Sequence, residues 1–268
     1  MRRTLLAAAF SIAAFAPGLA PAWAQSDQQT LVDRATLTVQ EALNASPEAD
    51  ADMRRLMRRS RGAMVCPRVF RAGFIFGGSG GGCALLARDA HGNWSYPAFY
   101  GMGSGSIGFQ IGIQDSAIVM MILTEKGLNA IMDSQFKFGG DANITVATLG
   151  AGVEGATTAD LGADIVAFSQ SRGLFAGISL QGSVMGSRSE WNQAYYGRDY
   201  GTRQIIIEMV GRNQGAEPLR EVLSRASAQP QAVAAAAPAP APAPVASAPQ
   251  SSRAVQRQAL AAPTTTRR

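Results

Sequence analysis

The chain has 268 residues, of which 24 are basic and 19 acidic, and its formal net charge is +5 at pH 7. Six of the 24 basic residues lie in two terminal segments, so the part between them, with 18 basic and 19 acidic residues, is close to neutral. One histidine and two cysteines exclude a zinc site of ordinary spacing unless carboxylates supply ligands.

Residues 1–24 have the pattern of a secretory signal peptide. Arg2 and Arg3 precede an apolar segment that ends at Ala22-Trp23-Ala24, a small-x-small cleavage site. No later segment approaches the roughly 18 continuous apolar residues that a membrane-spanning helix needs. We therefore expect a periplasmic or secreted protein.

Two helices are predicted at the start of the mature chain. Apolar residues recur at helical spacing between Ser26, which suits an N-cap, and Leu43. A second helix is predicted from Ser46 to Arg61, with Gly62 as its C-terminal cap. Acidic residues at its start and arginines at its end suit the helix dipole.

Short β-rich runs separated by glycine clusters follow Gly62. Strands are predicted at 73–76, 83–87, 95–100, 107–113, 117–123 and 136–148, a helix at 125–134, and a hairpin at 164–183 that turns at 171–173. The expected fold class is α+β, a β-rich single domain with a curved, Gly-rich antiparallel sheet and N-terminal helices.

From Ala226 to Arg268 the composition changes to Ala, Pro, Gln, Ser and Thr, with no acidic residue. Such a segment cannot bury enough apolar surface to offset its chain entropy, so it is predicted to be a disordered tail. Residues 25–225 are then one domain by length. Its two cysteines, Cys66 and Cys83, are disulfide candidates in an oxidising compartment, although spacing alone does not establish the bond.

Eight arginines lie between residues 54 and 88, a stretch that contains no Asp or Glu. They are Arg54, Arg55, Arg58, Arg59, Arg61, Arg68, Arg71 and Arg88. On the second predicted helix, Met53, Leu56 and Met57 share one face with arginines beside them, as in helices that lie at a membrane surface. The alternative is a helix that packs this apolar face on the core of its own domain.

The segment Gly103-Ser-Gly-Ser-Ile-Gly108 matches the GxGxxG pattern of a dinucleotide-binding loop. Such a loop needs a helix directly after it, because the helix N-terminus binds the pyrophosphate. Here apolar residues alternate with Gly and Gln from Ile107 to Gln114, which predicts a strand. We therefore expect no bound nucleotide.

Five segments together resemble the SYLF domain family in order and spacing. They are RGAMVCP at 61–67, RAGFIFGG at 71–78, WSYPAFY at 94–100, GSIGFQIG at 105–112 and SRGLFAGISLQG at 171–182. Members of that family are lipid-binding modules that favour anionic phospholipids through an N-terminal amphipathic helix and a basic surface. Some eukaryotic members also bind actin.

The resemblance implies non-enzymatic binding of anionic phospholipids and peripheral membrane contact. Met53, Leu56 and Met57 would insert shallowly, and arginines would contact the headgroups: Arg54, Arg55, Arg58, Arg59, Arg61, Arg68 and Arg71. Several arginines at about 1 kcal/mol each would give reversible, salt-sensitive binding. Because the chain has an export signal and no SH3 or FYVE module, bacterial anionic lipids are expected as partners, and phosphoinositides and actin are not.

Two other classes of function remain open. Catalysis would need a site that the sequence does not provide, since His91 lies in a predicted turn and no GxSxG elbow stands between a strand and a helix. We therefore expect no catalytic residues, no metal and no cofactor. The other class is a cell-envelope adaptor that binds a protein through the domain, the Ala/Pro-rich tail or the aromatic segment 191–196. The export signal argues against nucleic acid as a partner.

Overall fold

The computed structural model describes residues 26–73, 76–107, 112–133, 135–148, 162–173, 180 and 182–229. The predicted signal peptide and the tail from residue 230 onward lie outside the described residues.

The described residues form helices, one short 3-10 turn and strands. The helices are α1 (Asp27–Leu43), α2 (Pro47–Arg59), α3 (Glu125–Met132), α4 (Ser189–Tyr196), α5 (Thr202–Ile206) and α6 (Glu217–Ser227), with the 3-10 turn at Gln214–Ala216. The strands are β1 (Gly62–Gly73), β2 (Phe76–Ala87), β3 (Ala98–Ile107), β4 (Gly112–Ile122), β5 (Phe136–Lys137), β6 (Ile144–Thr148), β7 (Ile165–Gly173) and β8 (Val184–Ser187).

The strands form one curled sheet in the order β5-β8-β3-β2-β1-β4-β7-β6. This confirms the predicted α+β fold with N-terminal helices. The sheet is mixed rather than purely antiparallel, because β6 pairs with β7 in the parallel direction.

Both faces of the sheet are buried at its centre. Residues at alternate positions, such as Val65 and Leu86, pack under α1, α2 and α6, and we call this side the helix face. Their neighbours Met64 and Leu85 belong to a second core that includes α3 and α5. The sheet is therefore the middle layer of three.

The caps of the first two helices agree with the sequence. The hydroxyl oxygen of Ser26 accepts a hydrogen bond from the Gln29 amide at 3.2 Å, and that of Ser46 accepts one from the Ala49 amide at 3.1 Å. The predicted end of α2 was wrong by two residues. Gly62 does not cap the helix but begins β1, where a Cβ atom would lie 2.8 Å from the Leu86 carbonyl oxygen.

Most of the strand predicted at 107–113 lies outside the described residues. Ile107 is the last described residue of β3 and Gly112 the first of β4, and β1 and β2 lie between these two strands in the sheet. The turn predicted at 171–173 is part of β7, which pairs with β4 there.

Cys66 and Cys83 form a disulfide that joins β1 to β2. Both residues are fully buried on the side of the sheet opposite the helix face. The bond therefore links two central strands within the core, where solvent does not reach it.

The C-terminal boundary of the domain lies beyond the predicted one. α6 continues to Ser227, and both Ala226 and Ser227 are buried. The indole nitrogen of Trp94 donates a hydrogen bond to the Ser227 hydroxyl at 3.1 Å. The predicted start of the tail at Ala226 was wrong, because α6 had not been identified from the sequence and these residues complete its contact with the core.

Candidate functional site

The apolar face of α2 does not reach solvent. Met53, Leu56 and Met57 have exposed fractions of 0%, 1% and 0%. They lie in the core with residues of α1 and α6. Their predicted insertion into a membrane is wrong for this fold, because the same face that would enter a bilayer holds α2 on the sheet.

The arginines of α2 point outward and are partly neutralised by nearby acids. Arg54 pairs with Asp50 at 2.7 Å, and Arg55 pairs with Asp52 at 3.2 Å. Each acid lies one helical turn before the arginine with which it pairs, and both lie just before the arginine-rich stretch. Ion pairs as exposed as these contribute only about 0–1 kcal/mol to stability, so another anion competes for the arginines at little cost.

The other arginines of the stretch do not join α2 in one patch. Arg61 pairs with Glu125 at 3.6 Å, and Arg68 pairs with Asp115 at 2.7 Å. Arg88 donates to the backbone oxygen of Arg58 and so fixes the end of α2. Residues 61 and 71 mark opposite ends of β1, about 30 Å apart at the usual rise per residue.

A groove lies between α1 and the helix face of the sheet, and we call it the α1 groove. Its wide section has a volume of about 620 Å³, and the lining residues include Leu31, Arg34, Arg68, Phe70, Gly80 and Trp191. Its narrow section has a volume of about 240 Å³, and the lining residues include Arg34, Leu37, Glu41, Arg68, Asp115 and Gln170. The two sections share Arg34 and Arg68, so they are continuous.

Large apolar side chains are exposed along the α1 groove. Leu37 on α1 is 57% exposed, and Phe70 on β1 is 41% exposed. Ile113 is 63% exposed and lies on the same face of β4 as Asp115 and Ala117, which line the narrow section. Exposed apolar residues grouped beside a charged rim are typical of binding surfaces.

The rim of the α1 groove carries charges of both signs. Arg34, at the junction of the two sections, makes no hydrogen bond or ion pair with any residue that the structure describes. Arg68 is paired with Asp115, and Asp27 and Glu41 lie at the two ends of the α1 wall. The rim is therefore not a cationic patch.

The floor of the groove is made of β2 backbone. Gly81 and Gly82 are required by the fold, because a Cβ at Gly81 would overlap the Arg68 carbonyl and one at Gly82 would overlap the Leu31 side chain. At Gly80 a Cβ would meet only the Met102 carbonyl oxygen, at an ordinary 3.6 Å. The three neighbours thus have different reasons to be glycine.

The ionisable groups with shifted pKa values do not line the α1 groove. The Thr124 hydroxyl donates to Asp164 at 2.7 Å and lowers the pKa of that carboxyl, which also accepts from the Asn143 amide. Burial raises the pKa of Tyr100 to about 12. Burial also raises the pKa values of Tyr195 and Tyr196. The groups with these shifts therefore lie apart from the groove.

Some features of the groove were not identified from the sequence. Arg34 and Leu37 lie on α1. The sequence pattern predicts this helix, but it does not show which of its residues line a groove against the sheet. Phe70 lies on β1, where a bulge after Val65 shifts the side-chain alternation. The runs of alternating glycine at 78–82 and 101–105 were the available signal.

Within the described residues, no helix combines the length and the apolar character needed to cross a bilayer. The same residues hold no group of three or more His, Cys, Asp or Glu side chains arranged for a metal ion.

Residues 103–226 match the family model described as "Ysc84: Las17-binding protein actin regulator". Protein YSC84 of Saccharomyces cerevisiae is 30% identical over 175 residues, 64% of this chain and 37% of the relative. SH3 domain-containing YSC84-like protein 1 of Bos taurus is 35% identical over 156 residues, 58% of this chain and 46% of the relative. LAS seventeen-binding protein 3 of Saccharomyces cerevisiae is 30% identical over 175 residues, 64% of this chain and 38% of the relative.

The chain thus spans less than half the length of these curated relatives. No solved structure matches it. None of the three relatives' names, nor the description of the family model, names an enzyme.

These names correct one expectation from the sequence. Anionic phospholipids were expected as the partners, with an unidentified protein partner as the alternative, and actin was not expected. The matched family is described as an actin regulator that binds Las17, and a relative is named for the same protein partner. The expectation was wrong because it took the export signal as an argument about the partners of the domain, whereas the names describe protein partners.

The resemblance found in five sequence segments is confirmed by the match over 103–226, which contains the fourth and fifth segments. It is also confirmed by relatives that are 30% and 35% identical to this chain over 175 and 156 aligned residues. Residues 103–226 of this chain therefore belong to the Ysc84/SYLF family.

Proposed function

We propose that the domain is a non-enzymatic binding module that holds a protein partner in the α1 groove. The observation that carries the proposal is a pair of exposed apolar side chains, Phe70 in the wide section and Leu37 in the narrow section, beside a rim with both signs of charge. The names of the relatives support a protein as the class of partner and actin as the first candidate.

The charges of the groove favour a protein over an anionic membrane. Asp27, Glu41 and Asp115 would face the headgroups together with Arg34 and Arg68, and three carboxylates against two guanidinium groups give no net attraction. A folded partner presents charges of both signs, so it can match this rim.

We predict that Leu37→Glu weakens binding to purified filamentous actin by about tenfold or more, since it places a charge at an exposed apolar position of the α1 groove. Co-sedimentation of the full chain with actin filaments measures the affinity. Ile207→Glu is the matched control, because Ile207 is also an exposed apolar residue, at 47%, but lies at the end of α5. If wild-type protein stays in the supernatant, actin is rejected as the partner. If the two variants bind equally well, the α1 groove is rejected as the binding site.

Anionic phospholipid is a second candidate ligand, and the outward face of α2 supports it. Arg58 forms no ion pair with any described residue, and the pairs of Arg54 and Arg55 are exposed and weak. Contact would be electrostatic and without insertion, because the apolar face of α2 is buried. A periplasmic location would supply phosphatidylglycerol or cardiolipin.

For this candidate we predict that the full chain floats with phosphatidylglycerol vesicles at low salt and is released at high salt, because salt screens surface charge. The double variant Arg58→Glu, Arg59→Glu should lose flotation. The control is Arg198→Glu, Arg212→Glu, which makes the same charge change at two exposed arginines that follow α4 in the chain. Equal flotation with neutral vesicles, or flotation that both double variants retain, would reject the lipid proposal.

A further inference from the structure

Glycines of β2 and β3 form a row of cross-strand pairs beside the α1 groove. Gly82 pairs with Gly101, Gly80 with Gly103, and Gly78 with Gly105. All lie on the helix face, because they alternate with residues of the other core and the innermost, Gly82, faces Leu31 of α1. Six adjacent positions without a side chain make a strip of backbone, which we call the glycine strip; its inner end is covered by Leu31 at Gly82 and by Arg188 at Gly101.

Most of this glycine strip is not required by the fold. A Cβ at Gly78, Gly80 or Gly103 would meet its nearest atom at 3.6–3.7 Å, and one at Gly105 would meet nothing within 4 Å. Among the described glycines, those with positive φ are elsewhere in the chain, so backbone conformation does not demand glycine here. Glycine in a strand weakens it unless a backbone or ligand must approach closely.

The middle of the strip coincides with the groove. Phe70 on β1 is the cross-strand partner of Gly80, so Phe70, Gly80 and Gly103 lie in one row across three strands. The Phe70 ring does not cover the strip, since no atom of it comes within 4 Å of a Cβ built at Gly80. An object placed on Gly80 would touch Phe70 on one side and approach Arg34 on α1.

We propose that the α1 groove recognises an extended segment of the partner protein that carries an aromatic side chain and a nearby carboxylate. The aromatic ring lies flat on the glycine strip against Phe70, and the carboxylate pairs with Arg34. This names the partner chemistry of the groove and rests on the protein-binding function proposed above.

Charge and shape select this occupant. Arg34 is the guanidinium on the rim that no described residue neutralises, so the segment needs a carboxylate there. Because glycine has no side chain, a flat ring can lie on the strip at van der Waals distance from the backbone. Any side chain at these positions would occupy the space of the ring. An acyl chain would instead need an enclosed apolar cavity, whereas this groove is open and has Asp27, Thr30 and Arg34 along its wall.

The test uses a phage-displayed library of random linear peptides, selected on the immobilised full chain. Peptides that contain an aromatic residue close to Asp or Glu should be enriched. Their affinity should fall by about tenfold or more in Gly80→Val, which fills the floor, and in Arg34→Glu, which reverses the charge. Two controls should keep wild-type affinity: Gly140→Val, at an exposed glycine whose Cβ would have 3.8 Å of room, and Arg198→Glu.

Each outcome decides the proposal. Because Gly80→Val keeps an allowed conformation and gains strand propensity, its thermal unfolding should match wild type, so lost binding reports on the groove and not on misfolding. Selection of the same peptides on wild type and on Gly80→Val would overturn the proposal, as would enrichment of basic or purely aliphatic peptides. If the peptide test fails in this way but Leu37→Glu still weakens actin binding, the α1 groove binds a protein without the recognition of an aromatic ring and a carboxylate proposed here.

Discussion

Leu56→Ala is expected to lower the free energy of unfolding by about 2–5 kcal/mol, because it removes a fully buried side chain and leaves a cavity between α2 and the sheet. Denaturant unfolding of the full chain, followed by circular dichroism, measures the change. Arg58→Ala on the outward face of the same helix should change stability by no more than about 0.5 kcal/mol.

The pair of variants separates two roles for α2. A membrane-inserting helix would show the opposite result: Leu56→Ala would leave stability nearly unchanged and reduce binding to vesicles. Unchanged stability in Leu56→Ala would therefore contradict the buried position of this face and restore the insertion hypothesis.

Loss of the disulfide is expected to have an effect of similar size. The double variant Cys66→Ser, Cys83→Ser opens a loop with a sequence separation of 17 residues, which costs about 3 kcal/mol through the larger entropy of the unfolded chain. The midpoint of urea denaturation should fall, and wild-type protein unfolded in the presence of a thiol reductant should behave like the double variant.

A control keeps this prediction specific. Ser224→Ala, at an exposed position on α6, should have the same urea midpoint as wild type when both are measured without reductant and when both are measured with it. If reductant has the same effect on the double variant as on wild type, the loss does not come from the Cys66–Cys83 bond.

Local signals predicted much of the secondary structure. The N-caps of α1 and α2 were visible as Ser26 and Ser46, because a hydroxyl that accepts from an amide three residues later is a local contact. α6 was not predicted, because the change of composition near residue 226 indicated the start of a tail. The contact that buries its C-terminal end involves Trp94, more than 130 residues away in the chain.

The sites were less predictable than the fold. The arginine-rich stretch is conspicuous in the sequence, but Asp115 and Glu125, which pair with Arg68 and Arg61, come from β4 and α3. A count of charges within residues 54–88 alone therefore overestimated the positive charge of this surface. The apolar face of α2 has a spacing that suits both a helix at a membrane surface and a helix packed on a protein core. Spacing alone does not show whether such a face is buried in a bilayer or in the protein.

The sequence by itself determined the family, the α+β class and the two capped helices, because these depend on motifs and on contacts between near neighbours. Only the tertiary structure decided that Met53, Leu56 and Met57 are core, that Cys66 and Cys83 are bonded, and that the glycines of 78–82 lie opposite those of 101–105. Gly103 and Gly105 of the GxGxxG segment thus lie in this row of paired glycines. Strand register and helix docking set these outcomes, and both are fixed by burial of side chains that are far apart in the chain.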